Sequence, residues 1–368
     1  MQNKYTIAVL GSHSALDVCR GAKDMGFKTL VICEKGREKT YAKYYKSDPS
    51  LRSGRHSLGC VDDVLVLDKF SDILNEDVQK DLISRNVVFI PHRSFEVYIN
   101  DYDAIENKFK VSMFGNKFLL KTEERSVKPN QYDLLDKAEI RYPKQFKDPK
   151  DIDRLVIVKV LEKERGFERA FFFAESVEEY EIGVKQGLGL GRFTDEQIKS
   201  AVIEEFIVGV QVNFNFFYDP INERLELIGT DTRRQTNIEG LTKLPAMYEE
   251  DVMKKVGVKY EEAGHIAVTI LESLLEDAFA IGERFVKASI EMKLPVIGPF
   301  GLQTMITAGP PKKEIIVFDV SPRMPGSPGI FATPYSGYLH GQNISMGKRV
   351  AMEIKEAIRL NKLKQITT

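Results

Sequence analysis

Short apolar runs alternate with an amphipathic stretch over the first hundred residues. Four runs have the length of strands, namely residues 5–10, 29–33, 63–67 and 87–90. Residues 15–25 instead carry apolar positions at helical spacing. Strand, turn, helix and strand in this order are typical of a βαβ unit, so a parallel sheet is predicted. The polar, Gly/Ser-rich stretch 46–60 is predicted to be an exposed insertion, and residues 1–115 to form an α/β domain.

The rest of the chain contains more strand patterns than helix patterns. Strands are predicted over residues 155–160, 170–174, 203–208, 211–218, 224–231, 298–306 and 314–320. Helices are predicted over residues 116–137, 195–201, 269–291 and 345–361. The last two strands flank a Gly309-Pro310-Pro311 turn, so they are expected to pair antiparallel. Residues 116–368 are therefore predicted to form an α+β body after the N-terminal domain.

Composition narrows the class of protein. Lys and Arg number 53 and Asp and Glu number 54, and this balance disfavours a nucleic-acid-binding protein. No apolar run is long enough for a membrane span, and the N-terminus lacks the pattern of a signal peptide. The three cysteines, Cys19, Cys33 and Cys60, lack metal-ligand spacing and are interpreted as reduced structural thiols. A cytoplasmic protein is expected.

Two turns in the N-terminal domain could bind an anion. His13 lies in the turn Gly-Ser-His-Ser where the first strand meets the first helix, and helix N-termini bind phosphates. The alternative is a capped helix with an incidental histidine. Arg93 and Ser94 follow the fourth strand, at the carboxyl edge where parallel sheets bind ligands. The alternative there is a solvated loop.

Several polar residues on predicted strands of the body suit a nucleotide and its metal. Lys159 ends an apolar strand, where a phosphate would compensate its burial, although an edge lysine is the alternative. Ile203 precedes two carboxylates, Glu204 and Glu205, one of which could accept from an adenine or a ribose. Pairing of the last two strands would bring Gln303, Asp319 and Arg323 near one another, and oxygen ligands suit Mg²⁺.

At these residues the chain resembles the archaeal formate-dependent FAICAR synthetases of the ATP-grasp superfamily. The resemblance runs nearly end to end and is carried by LGSHSALDVCRGAK, FIPHRSF, MFGNK, DPKDIDRLVIVK, IEEFIVGV, ELIGTDTRRQTNIEGLTKLPA, ESLL, IGPFGLQ, VFDVSPR and PYSGYLHGQNISMGKRVAMEI. It implies an ATP-dependent ligase. Such an enzyme joins formate, through formyl phosphate, to the 5-amino group of 5-aminoimidazole-4-carboxamide ribonucleotide (AICAR). The products are FAICAR, ADP and phosphate.

The resemblance also implies roles for residues of this chain. The implied ribotide contacts are His13, Ser94 and His265. The implied ATP contacts are Lys121, Lys159, Glu204, Glu205 and Gln235. The implied metal ligands are Gln303 and Asp319, for Mg²⁺ or Mn²⁺, and Arg323 is the implied catalytic residue. A homo-oligomer is expected.

This sequence departs from the family pattern around the nucleotide. The family's Gly-rich phosphate loop corresponds to residues 160–169, where Gly166 is the one glycine and acidic residues alternate with basic ones. We expect Arg165 and Arg169 to replace the missing backbone donors. Gln235 stands in place of a glutamate, and residues 324–329 lack an asparagine that could bind metal. The alternatives are a related protein that binds a purine ribotide without catalysis, or a ligase for another carboxylate.

Overall fold

A four-stranded parallel sheet forms the N-terminal part of the computed structural model, which describes residues 4–53, 56–160, 171–256, 261–309 and 311–368. Its strands are β1 (Thr6–Leu10), β2 (Lys28–Glu34), β5 (Asp63–Leu67) and β6 (Val87–Phe89), in the order β5-β2-β1-β6. The helices of this region are α1 (Ala15–Asp24), α2 (Glu76–Ser84) and α3 (Arg93–Ile99). The predicted parallel βαβ arrangement is confirmed.

The stretch predicted as an exposed insertion ends in the hydrophobic core of the N-terminal part. It contains an antiparallel hairpin of β3 (Asp48–Ser53) and β4 (His56–Leu58). Beyond the hairpin, Cys60 and Val61 are buried, and the Thr29 hydroxyl donates to the Cys60 carbonyl at 2.7 Å. The prediction of a wholly exposed insertion is therefore wrong at its end. All three cysteines are free and buried.

The helix predicted over residues 116–137 is two helices. These are α4 (Lys117–Leu120) and α5 (Gln131–Lys137). Proline lacks a backbone N–H and disfavours helix at the residue before it, so Pro129 interrupts the segment. Asn130 then starts α5 afresh, because its side chain accepts from the backbone of Tyr132 and Asp133.

A small antiparallel sheet follows. Its strands are β7 (Gln145–Phe146), β8 (Val156–Lys159), β9 (Phe171–Ala174) and β10 (Val202–Glu205), in the order β7-β10-β8-β9. Two helices, α6 (Val177–Gly189) and α7 (Asp195–Lys199), accompany it, and the Thr194 side chain caps the N-terminus of α7. Val160 is buried. The predicted role of Arg165 and Arg169 falls on residues 161–170, which lie outside the described residues.

A five-stranded antiparallel sheet is the centre of the body. Its strands are β11 (Gly209–Asp219), β12 (Arg224–Gln235), β13 (Glu262–Ala267), β14 (Gly298–Thr307) and β15 (Ile315–Ser321), in the order β13-β12-β11-β14-β15. Its helices are α8 (Ile238–Leu241), α9 (Ala246–Val256) and α10 (Leu275–Glu291). Phe216, Phe285 and Phe300 stack between α10 and the sheet. The predicted pairing of the last two strands is confirmed, with Gln303 opposite Asp319.

The C-terminal helices return to the first sheet. These are α11 (Tyr335–His340) and α12 (Met346–Arg359). Helix α12 packs on α1 so closely that a Cβ on Gly21 would lie 2.3 Å from the Gly347 carbonyl carbon. The chain end also pairs with residue 113, and so it joins the two predicted domains. The domain boundary at 115/116 stays a prediction. Among the described residues, no helix is long and apolar enough to cross a membrane.

Candidate functional site

The turn after β1 places two predicted ribotide contacts side by side. Ser94 Oγ donates to Ser12 Oγ at 3.0 Å, which ties the start of α3 to this turn. His13 has a left-handed φ of 53°, and its ring stacks on His92 at 5.3 Å between centroids. Ser14 Oγ donates to the Pro325 carbonyl at 2.7 Å, so the loop after β15 closes over the turn.

His13 is a neutral imidazole at physiological pH. Desolvation by the surrounding protein, together with the nearby His92 and Arg323, lowers the pKa of His13 to about 3, although part of the residue surface is exposed. Gly326 faces the ring, and a Cβ there would lie 2.5 Å from His13 atoms. His13 is therefore suited to neutral hydrogen bonding rather than to charge attraction.

His265, the third predicted ribotide contact, is by contrast a cation. Nδ1 lies 2.5 Å from an Asp231 oxygen and 2.9 Å from Ser327 Oγ, and Nε2 lies 3.1 Å from a Glu262 oxygen. Burial opposes protonation, but hydrogen bonds and charge from Asp231 and Glu262 raise the pKa of His265 to about 9. His265 and His13 interact electrostatically, so the structure brings both histidines to one site.

Asp231 is a residue of this site that sequence reasoning missed. It is buried on β12 and accepts from Asn213 Nδ2 at 2.9 Å and from Asn215 Nδ2 at 2.6 Å. The one signal in the sequence is the two asparagines at alternate positions of an otherwise apolar strand, which places them on the same face. Asp231 on β12 and His265 on the neighbouring β13 complete this polar group.

Arg323 lies in a buried cluster at the junction of the N-terminal sheet and the body. Its Nη2 donates to both oxygens of Glu123, at 2.7 and 2.8 Å, and its guanidinium pairs with Glu96 on α3. Arg93 lies 3.3 Å from Glu123 and 3.8 Å from Glu96. Burial raises the pKa of both carboxyl groups, and the arginines oppose that rise. Sequence reasoning missed both glutamates.

The predicted metal ligands are neighbours across β14 and β15. Gln303 Nε2 donates to Asp319 Oδ2 at 2.9 Å, and Arg233 donates to Gln303 Oε1 at 3.4 Å. Arg125 lies 3.8 Å from Asp319. Within the part of the chain that the structure describes, no group of three or more His, Cys, Asp or Glu could hold a metal. Two oxygen-bearing side chains still fit Mg²⁺, which takes its remaining ligands from phosphate and water.

The structure does not bring all the predicted nucleotide contacts together. Lys159 on β8 forms an ion pair with the buried Glu204 on the neighbouring β10. Glu205 points to the opposite face, where it accepts from Arg141 at 3.2 Å. Lys121 pairs with Glu106 at 2.9 Å, which links it to the N-terminal domain rather than to the Lys159–Glu204 pair.

Gln235, the remaining predicted nucleotide contact, lies at the end of β12. It lines a cavity of about 480 Å³ together with Arg234, Thr236, Asn237, Glu239, Gly240, Lys243 and Ala263. Its backbone N–H donates to a Glu239 oxygen at 2.6 Å. Arg233 and Gln235 lie on the same face of β12 because they are two positions apart.

Comparison with known proteins finds relatives over nearly the whole chain. Two family models match, a domain of unknown function (DUF1297) over residues 179–368 and a protein of unknown function (DUF1246) over residues 7–146. The 5-formaminoimidazole-4-carboxamide-1-(beta)-D-ribofuranosyl 5′-monophosphate synthetase of Methanothermobacter thermautotrophicus is 40% identical, over 99% of this chain and 94% of that protein. The synthetase of the same name from Methanocaldococcus jannaschii is 37% identical, over 99% of this chain and 95% of its own length.

Superposition on solved structures identifies the fold. The IMP biosynthesis protein PurP from Thermococcus kodakaraensis superposes with a TM-score of 0.69 at 27% identity, over 98% of this chain and all of that one. Phosphoribosylglycinamide synthetase from Anaerococcus prevotii superposes with a TM-score of 0.54 at 14% identity, over 87% of this chain and 68% of its own. At this identity the similarity shows only a common fold, the ATP-grasp fold. The chain therefore belongs to the 5-formaminoimidazole-4-carboxamide ribonucleotide (FAICAR) synthetase family, with an ATP-grasp fold.

Proposed function

We propose that this chain is an ATP-dependent carbon–nitrogen ligase of purine biosynthesis. It joins formate to the 5-amino group of AICAR and yields FAICAR, ADP and phosphate. The observation that carries the proposal is identity of 34–40% over nearly the whole chain to proteins named for that product. The proximity of His13 to His265, and of Ser94 to the turn that carries His13, supports it, because these residues were assigned to the ribotide from separate parts of the sequence.

The ribotide is proposed to bind between the turn after β1 and the large sheet. Neutral His13 and the Ser94 hydroxyl contribute directional hydrogen bonds, and His265 contributes a positive charge. The loop that carries Pro325 and Gly326 closes this pocket from the body side. Enclosure matters because an acyl phosphate that met water would be hydrolysed before the amine attacked it.

ATP is proposed to bind along the small sheet, with Mg²⁺ or Mn²⁺ on Asp319 and Gln303. Lys159 is the cation for the phosphates, and Glu204 on the neighbouring strand is suited to accept from the adenosine. Lys121, Glu205 and Gln235 remain proposed nucleotide contacts. When bound, the divalent metal neutralises phosphate charge as the γ-phosphoryl group moves.

The reaction is proposed to run in two steps. A formate oxygen attacks the γ-phosphorus of ATP, and ADP leaves. The 5-amino nitrogen then attacks the formyl carbon, phosphate leaves with the former formate oxygen, and the nitrogen loses a proton. Arg323 is proposed as a catalytic cation near the transferred group, held rigid by Glu96 and Glu123.

The test is the requirement for both substrates. ADP release should occur with ATP, formate and AICAR together and should stop when formate or AICAR is left out. ADP release with AICAR and a different carboxylate would assign another acid substrate. AICAR binding without ADP release would support a ribotide-binding protein without catalysis.

We further propose a cytoplasmic homo-oligomer. Three buried free thiols suit a reducing compartment. Large apolar side chains such as Met247 and Val208 are more than two-thirds exposed, and a subunit interface would bury them. Light scattering on the purified chain tests the oligomer, and a monomer at all concentrations would contradict it.

A further inference from the structure

The two ring nitrogens of His265 have partners of different character. Nδ1 is held by the buried Asp231 at 2.5 Å and by the buried Ser327 at 2.9 Å. Nε2 faces Glu262, whose carboxylate lies 3.1 Å away and whose side chain is 42% exposed. One side of the imidazolium therefore faces buried partners, and the other faces a partly exposed carboxylate.

The fixed side is built from two strands in register. Asn213 lies opposite Asp231 across the β11–β12 ladder, and Asn213 and Asn215 donate one amide each to the Asp231 carboxylate. These two hydrogen bonds hold the carboxylate in one orientation. Asp231 therefore orients the His265 ring and directs the Nε2–H away from the sheet.

The carboxylate on the exposed side neutralises two cations at once. Glu262 lies 3.2 Å from Arg233 Nε as well as 3.1 Å from His265 Nε2. The other titratable groups that act on this cluster are His13, which is neutral, and Arg323 beyond it. One exposed carboxylate thus lies between an imidazolium and a guanidinium.

We propose that Glu262 holds the place of the ribotide 5′-phosphate, which displaces it and binds His265 and Arg233, while Asp231 is the positioning residue for His265. The inference rests on the proposed function, because the anion is the phosphate monoester of AICAR. A phosphate dianion offers more charge and more acceptor oxygens than a carboxylate, so it competes well for the same two donors. Displacing Glu262 breaks its ion pairs with His265 and Arg233, and the phosphate replaces both with charge-assisted hydrogen bonds of its own.

The first test is Glu262→Gln, which weakens the competing group and keeps its size. At pH 6.5, where His265 is charged, calorimetry should show about threefold tighter AICAR binding. AICA riboside, which lacks the phosphate, should bind equally to both proteins. The matched control is Glu291→Gln, which alters a carboxylate with 43% side-chain exposure, paired with Lys137 on the surface, and should change nothing.

The second test asks whether Asp231 acts on AICAR binding by keeping His265 charged. Asp231→Asn should let the pKa of His265 fall toward its ordinary 6.5, so AICAR affinity should drop about tenfold between pH 7 and pH 8, where the phosphate, with a second pKa of about 6, is already a dianion. In the wild type, affinity should stay level until the pH approaches 9. Ser327→Ala removes the other Nδ1 partner and keeps Asp231, so its AICAR affinity should stay as independent of pH as in the wild type. A pH-dependent affinity in Ser327→Ala would contradict the role of Asp231 even if Asp231→Asn does not fold.

Three outcomes would overturn the inference. These are unchanged AICAR affinity in Glu262→Gln, an equal gain for the riboside, and a gain for ADP instead of AICAR, which would assign the two cations to the nucleotide. Failure of the proposed function has a different signature, namely a wild-type chain that binds no AICAR at all. A chain that binds AICAR but releases no ADP leaves the Glu262 test fully applicable.

Discussion

Replacing Arg323 by methionine should destabilise the junction between the N-terminal sheet and the body. The Arg323 side chain is 6% exposed and pairs with Glu96 and Glu123, whose side chains are 1% and 11% exposed. Removing one partner of a buried ion pair leaves an uncompensated charge, at a cost of about 3–5 kcal/mol. Methionine keeps the apolar part of the side chain, so the decrease in the free energy of unfolding reports the missing charge and its hydrogen bonds.

The cost should depend on pH. Burial raises the pKa of Glu123 above its ordinary 4.5, and the positive charge of Arg323 opposes that rise, so the pKa rises further without it. A carboxyl group with a higher pKa in the folded chain holds its proton longer when folded. The folded state therefore loses stability as the pH rises above 4.5. The variant should be closer to wild type at pH 5.5 than at pH 8.

Thermal denaturation at the two pH values measures this effect. The control is Arg85→Met, because Arg85 is 39% exposed and pairs with surface carboxylates, so it should cost at most about 1 kcal/mol. Arg323→Lys keeps the charge but loses the two-oxygen geometry to Glu123. A midpoint for Arg323→Met equal to wild type at pH 8 would refute the reasoning. Stable Arg323→Lys without ADP release would support the catalytic role.

Three further predictions concern the substrate pockets. His13→Ala should weaken AICAR binding by about 0.5–1.5 kcal/mol, as expected for a neutral hydrogen bond, and calorimetry should give the same loss at pH 6 and pH 8 because the pKa of His13 is about 3. Lys159→Met should lower kcat for ADP release about a hundredfold, whereas unchanged turnover would make Lys159 only the partner of Glu204. Gly326→Ala would place a Cβ 2.5 Å from the His13 ring, so AICAR affinity should fall; normal affinity would show that the loop yields.

Local patterns predicted the parts of the site that depend on neighbours in sequence. The turn after β1 follows from an apolar strand, a Gly-Ser-His-Ser turn and a helix start. The pairing of Gln303 with Asp319 follows from two consecutive strands that were predicted to pair antiparallel. The break before Pro129 was equally visible in the sequence but was missed because the flanking segment has helical composition.

The buried polar clusters could not be predicted in the same way. Asp231 meets His265 only because β12 pairs with β13, a strand that the sequence pattern did not predict. Glu96 and Glu123 look like ordinary charged residues of helical segments until Arg323, about 200 positions later, packs between them. Such contacts depend on how distant strands and helices pack, and periodicity carries no information about that.

Labelled formate tests the central claim most directly. With both formate oxygens replaced by ¹⁸O, the proposed reaction transfers one formate oxygen to the γ-phosphorus and leaves the other on the formyl group. Mass spectrometry should therefore find one ¹⁸O in the released phosphate and one in FAICAR, with one ADP formed for each product molecule. Unlabelled phosphate, or ADP release without FAICAR, would contradict the account.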